Sequence, residues 1–223
     1  MARSTVLTLY LVSYNFAQAL GWSLVLLRIL GQAARTNSVD ESFDVAGNLV
    51  RLLQLSAFFE VVHAAAGLVP SGVLASFLQW GGRYHWIAAV VCNIKEVQRL
   101  PSVFITFMAW SLIEVIRYPQ YALSTIGLCP RWLTWLRYTA FIPLYPIGAW
   151  CGEVLLYYQA LPYIKKSNLF GSFFDKLPFS YYNFIVAGLV LYPFLWLSLY
   201  MHMLKQRKIK LRRARMKRAS RSD

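Results

Sequence analysis

The chain has 223 residues, 58% of them hydrophobic and only 14% charged, with a mean hydropathy of +0.45. Soluble domains carry about 25% charged residues, so the composition excludes an ordinary soluble domain. The net charge of +14 does not point to nucleic acid, because ten of the 23 Lys and Arg residues lie between Lys205 and Arg221 in a tail without interleaved aromatic residues for base stacking.

Apolar residues come in long blocks. About 18 or more can cross a hydrocarbon core roughly 30 Å thick, and the backbone at that depth must pair internally. Barrel strands alternate over about ten residues, which these blocks do not, so the expected class is all-α. Six blocks follow in chain order: about Val6 to Leu30, Ala46 to Leu68, Val73 to Cys92, Val103 to Leu123, Trp132 to Leu161 and Tyr181 to Leu204. Pro70-Ser71-Gly72 and Cys129-Pro130-Arg131 mark turns between them. The third block carries Gly81-Gly82-Arg83 and His85, and competes with a re-entrant or interfacial reading. The first block follows Met1-Ala-Arg-Ser-Thr5 without a small-residue cleavage site, and is expected to be a retained span. The expectation is a polytopic six-transmembrane-helix bundle over residues 1–204, followed by a basic cytosolic tail over 205–223 that meets membrane lipid. Lys165 and Lys166 vote for the opposite orientation, but the tail outnumbers them. Trp22, Trp80, Trp86, Trp132, Trp135, Tyr181 and Tyr182 near block ends read as interfacial belts. Cys92, Cys129 and Cys151 read as small buried residues, since their wide spacing forms neither a zinc pattern nor a disulfide framework.

The chemistry-bearing residues are the ionisable groups inside the blocks, each costing at least about 2.5 kcal/mol at membrane depth. Glu60 and His63 are three apart and share a helix face, as do Glu114 and Arg117. The Glu60–His63 pair reads equally as structural glue or as part of a site, and the Glu114–Arg117 pair reads more as glue. Glu153 differs: no cation lies within a helical turn of it, which suits a proton-transfer group. Arg137, Tyr138 and Tyr145 precede it on the same block. There is no nucleophile elbow, phosphate loop, HExxH motif or Cys-x5-Arg loop, and the three histidines form no metal-ligand cluster.

The segment Arg137-Tyr-Thr-Ala-Phe-Ile-Pro-Leu-Tyr-Pro-Ile-Gly148, followed by Glu153, resembles the signature of the very-long-chain (3R)-3-hydroxyacyl-CoA dehydratases, also called protein-tyrosine-phosphatase-like or PASTICCINO-type proteins. Tyr10-Leu-Val-Ser-Tyr-Asn15, Phe59-Glu-Val-Val-His-Ala64, Trp110-Ser-Leu-Ile-Glu-Val-Ile-Arg-Tyr118 and Tyr200-Met-His-Met-Leu-Lys-Gln-Arg207 are similar to that family too, in order along nearly the whole chain. The resemblance implies six spans in the endoplasmic reticulum membrane with both termini cytosolic. It implies loss of water from a long-chain 3-hydroxyacyl-CoA to give a trans-2-enoyl-CoA, the third step of fatty-acid elongation, without metal or organic cofactor. The other elongase components, namely the condensing enzyme, ketoacyl reductase and enoyl reductase, are the implied partners. Tyr145 and Glu153 fall on the family's catalytic tyrosine and glutamate. Glu60, His63, Glu114, Arg117 and Tyr138 are expected to support them. The family spaces its pair seven residues apart, whereas this chain has eight. An unbroken α-helix would turn the second group roughly 100° further. A π-bulge, unwinding at Pro146, or flexibility at Gly148 and Gly152 could absorb the extra residue. Otherwise the chain is an inactive scaffold of the elongase complex. A small-solute transporter is a third reading, weakened because no inverted repeat or pair of half-length helices is apparent.

Overall fold

A computed structural model describes residues 4–219, with side chains as far as residue 212. Among the described residues the chain is helical, without strands. Its elements are α1 (Thr5–Thr36), α2 (Ser42–Ser56), α3 (Phe58–Ala65), α4 (Val73–Tyr84), a π-helical turn (His85–Val90) with two short 3-10 turns, α5 (Pro101–Thr125), α6 (Arg131–Arg137), α7 (Phe141–Pro146), a π-helix (Ile147–Val154), α8 (Leu155–Ser167), α9 (Gly171–Phe174) and α10 (Tyr181–Ala219).

Local chemistry explains the ends. The Ser4 hydroxyl caps α1 by accepting from the Leu7 amide at 3.2 Å. Asn37 closes the same helix in the left-handed region, and Asn168 does so after α8. Pro101 starts α5 after the extended Leu100, where a missing N–H costs nothing. Second and fifth blocks are less regular than their hydropathy suggests: α2 and α3 meet at Ala57, and the fifth is α6, α7, a π-helix and α8 in series, reaching Ser167 instead of Leu161. The sixth helix does not stop at Leu204 but enters the basic tail unbroken. The last tail residues, from Ser220, lie outside the described residues.

Among the described residues, four stretches are long and apolar enough to cross a membrane: Thr5–Thr36, Ser42–Ala65, Arg131–Ser167 and Tyr181–Arg212. The protein is an all-helical membrane protein. The other two expected blocks fail the apolar test for different reasons. α4 has 12 residues before the helix loosens at His85. α5, at 25 residues, is about 37 Å long but carries Glu114 and Arg117 in its middle.

α1 and α5 pack along one another, and the core gathers around them. Trp22, Val25 and Ile29 of α1 meet Val50 of α2, Trp86 and Val90 of the π turn, Phe107 and Trp110 of α5, and Leu156 and Ile164 of α8. Trp22, Trp86 and Tyr181 are therefore core residues and not interfacial ones; Trp132 and Trp135 remain exposed. Their sequence positions near block ends mislead because neighbouring helices cover those ends. Cys92 and Cys129 are half-buried and Cys151 is exposed, since Cys151 lies on the outer side of its π-helix with Ile147 and Trp150.

The π-helix lies against α5 through two glycines. A Cβ on Gly148 would meet Ala109 Cβ at 2.8 Å, and one on Gly152 would collide with the Thr106 hydroxyl and come within 3.2 Å of its backbone. Gly152→Ala is therefore expected to cost about 1–3 kcal/mol by overpacking and to lower the melting temperature of detergent-solubilised protein. Gly188→Ala, whose added Cβ meets nothing within 4 Å, is the control that should not.

Candidate active site

Tyr145 is the penultimate residue of α7, and Glu153 lies near the end of the π-helix that follows. In a π-helix the hydrogen bonds run from i to i+5, which adds a residue to the turn. One such widened turn lets eight residues span the two turns between Tyr145 and Glu153, where two α-helical turns take about seven. Pro146 keeps helical dihedrals and does not unwind the chain. Gly148 and Gly152 act through close packing on α5, as described above. Of the three ways to absorb the extra residue, the structure uses the π-helical one.

Both side chains turn toward α10. The Tyr145 ring stacks on Trp196, 5.6 Å between centroids, and on Tyr200 at 6.1 Å. Trp150, between Tyr145 and Glu153 in sequence, meets Trp196 and Tyr192 edge-on. Tyr192, Trp196 and Tyr200 are spaced four apart and present one face of α10. Glu153 accepts a hydrogen bond from the Trp110 indole at 2.7 Å and another from the Tyr192 hydroxyl at 3.3 Å. Among the described residues no cation pairs with it. Tyr145 and Glu153 lie within electrostatic reach of each other, and Arg83 lies within reach of both.

Arg83 joins what the sequence presents as separate clusters. It sits over the Trp110 ring at 5.1 Å and pairs with Glu114. Glu114 also accepts from Nε of Arg117. The two remaining nitrogens of Arg117 meet Glu60 end-on, each at 3.0 Å, and the Tyr118 hydroxyl donates to Glu60 as well. The order is Glu60, Arg117, Glu114, Arg83, then Trp110 and Glu153. Glu114 is 1% exposed and Arg117 8%, so these charges are neutralised by each other and not by water.

The expected Glu60–His63 pair does not form a hydrogen bond. His63 Nε2 and the Tyr10 hydroxyl share one at 2.8 Å, and the ring lies edge-on to Tyr10 and Tyr14. Arg117, a bidentate donor, out-competes an imidazole for the carboxylate. Tyr138 stands apart from Glu153. It lines, with Glu60, His63, Arg83 and Arg117, a cavity of about 610 Å³. Residues absent from the sequence reading of the site are Arg83, Trp110, Tyr192 and Trp196. Trp110, Glu114 and Arg117 follow helical spacing on α5, and a lone Arg at membrane depth is itself a signal. A further cluster lies one turn beyond Glu153, where His85 shares hydrogen bonds with Tyr157 at 2.7 Å and Tyr181 at 2.9 Å. Among the described residues no three His, Cys, Asp or Glu side chains converge on a metal position.

The family model described as protein tyrosine phosphatase-like protein, PTPLA, matches residues 54–213, which include Arg83, the α5 motif, Tyr145, Glu153 and Tyr192. The chain belongs to the PTPLA family. It is 35% identical over 204 residues to very-long-chain (3R)-3-hydroxyacyl-CoA dehydratase 2 of Homo sapiens, covering 90% of this chain and 80% of that one. It is 33% identical over 207 residues to dehydratase 1 of Ovis aries, covering 90% of this chain and 70% of the other. With the Danio rerio dehydratase it is 33% identical over 220 residues, 93% of this chain and 59% of that one. No solved structure matches this PTPLA chain.

Removing Arg117 would leave two carboxylates facing each other without their shared cation. Arg117→Leu is expected to destabilise the protein by about 3–5 kcal/mol, read as loss of the cooperative melt in detergent. Arg117→Lys should recover only part of this, because an ammonium cannot make the bidentate contact to Glu60 and reach Glu114 together.

Proposed function

We propose that this protein is a 3-hydroxyacyl-CoA dehydratase that removes water from long-chain and very-long-chain substrates to give the trans-2-enoyl-CoA during fatty-acid elongation. The family membership and the names of its relatives support the reaction. The observation that supports the assignment to residues is the π-helix between Tyr145 and Glu153, together with the contacts of both side chains with α10. It weighs against the inactive-scaffold reading, whose ground was that spacing.

Elimination needs a proton taken from C2 and a proton delivered to the hydroxyl leaving C3. Glu153 takes the first. Its carboxylate is held by the Trp110 N–H and the Tyr192 O–H, so it is oriented without being locked in an ion pair. Tyr145 delivers the second, its ring fixed between the aromatic face of α10 and its own helix. The C2 electron pair becomes the new double bond as the C3–O bond breaks. Proton exchange between the acid left on Glu153 and the phenolate left on Tyr145 restores both. The Glu60–Arg117–Glu114–Arg83 chain serves as the support behind Trp110, and Tyr138 and His63 line the approach.

We also propose six passages through the membrane of the endoplasmic reticulum, with both termini on the cytosolic side. α5 is long enough to cross, and its charges are answered inside the protein by Arg83 and Glu60. The basic end of α10 favours the cytosolic face. The other elongase enzymes are its proposed neighbours, the source of its substrate and the destination of its product.

Purified protein in detergent should convert a long-chain 3-hydroxyacyl-CoA to the enoyl-CoA, seen by mass spectrometry. Tyr145→Phe and Glu153→Gln should each lower turnover by at least about a hundredfold with an unchanged melting temperature. Full activity in Glu153→Gln would overturn the assignment of the base.

A further inference from the structure

The π-helical turn His85–Val90 has no part in the proton transfers proposed for Tyr145 and Glu153, yet its first two residues reach both of the groups that hold Glu153. Trp86 is 1% exposed and lies edge-on to Trp110, with 5.2 Å between ring centroids, and Trp110 donates to Glu153. His85 reaches the other holder, Tyr192, through the helix that carries it. The imidazole Nδ1 shares a hydrogen bond with the Tyr157 hydroxyl at 2.7 Å, and Nε2 shares one with the Tyr181 hydroxyl at 2.9 Å. Tyr157 follows Glu153 by four residues, about one helical turn. Tyr181 precedes Tyr192 by eleven, close to three turns, so both lie on one face of α10.

α10 depends on such an anchor. Of its residues with described side chains only Tyr181 and Ile185 are buried. The part that faces Tyr145 and Glu153 is therefore held chiefly from its first two turns. Phe170 and Phe174 also pack on the Tyr181 ring, but apolar contacts gain little over lipid. A hydrogen bond demands a narrow geometry, and His85 makes two. A neutral imidazole has one donor and one acceptor nitrogen. Here both are used, on tyrosines of two different helices. The ring thus sets the rotation and spacing of α10 against α8. Tyr192 is sensitive to both, because its bond to Glu153, at 3.3 Å, is already long for an O–H donor.

We propose that His85 is a positioning residue for Glu153: it ties α10 to α8 so that the Tyr192 hydroxyl meets the Glu153 carboxylate. The proposal rests on the dehydratase reading and deepens it. The test measures turnover of a long-chain 3-hydroxyacyl-CoA by the full chain in detergent, beside the melting temperature. His85→Phe removes both hydrogen bonds. Tyr181→Phe removes one hydroxyl and keeps the ring among its aromatic neighbours, and decides alone if His85→Phe does not fold. Each should lower kcat about five- to tenfold, with KM within about twofold of wild type. Tyr192→Phe should do the same, since it deletes the donor itself. The deciding readout is the double variant Tyr181→Phe/Tyr192→Phe. If His85 acts through Tyr192, its kcat equals that of Tyr192→Phe within about twofold. A structural role elsewhere would instead multiply the two losses, and that result would overturn the proposal, as would wild-type kcat in Tyr181→Phe or Tyr192→Phe. A wild-type protein that dehydrates nothing would overturn the dehydratase reading, and this proposal with it.

Discussion

Two guanidiniums and two carboxylates alternate through the middle of this protein, and the rest of the structure is arranged around keeping them together. A lone charge at membrane depth costs at least about 2.5 kcal/mol, and a buried pair is tolerated only when its geometry is good and its remaining valences are used. Arg117 uses all three of its nitrogens on Glu114 and Glu60. Glu114 uses both oxygens, one on Arg117 and one on Arg83. The chain of ions ties α3, α4 and α5 together, elements whose apolar surfaces alone gain little from meeting in lipid. It explains how α5, too polar to pass as a span by composition, sits at the centre of the bundle.

The same ionic chain sets the environment of the proposed catalytic pair. It ends at Arg83, which is held over Trp110, and Trp110 holds Glu153. Glu153 thus belongs to the network by a hydrogen bond from a neutral group and not by an ion pair. A carboxylate locked to an Arg would be a poor proton acceptor; one oriented by an indole N–H and a phenol O–H keeps its basicity available. Structural glue and the proposed support of the Tyr145–Glu153 pair are one set of side chains with two ends.

Much of this was legible in the sequence wherever it depended on composition or on neighbours along one helix. The apolar blocks correspond to helices, and Glu114 and Arg117 do pair across one turn as their spacing implies. What local spacing could not supply were partners from distant elements. Glu60 looked like the partner of His63, three residues on, and is in fact the partner of Arg117, 57 residues away. Arg83 was hidden in a block whose paired glycines suggested an interfacial segment. Trp22 and Trp86 looked interfacial and are buried, because the sequence says where a residue sits along a span but not which neighbour covers it. The role of α10 in presenting Tyr192 and Trp196 was not visible either, since nothing in a uniformly apolar helix marks the face that will meet a partner.

The π-helix between Tyr145 and Glu153 has a consequence for how this stretch of chain tolerates change. Its two ends are anchored, one by aromatic stacking on α10 and the other by Trp110, while its glycine side is pressed against α5. Those contacts hold the segment at both ends, so the orientation of the two side chains depends on the π-helical winding between them. On the other side, a single methyl group added at constant length would run into Ala109 or Thr106 of α5.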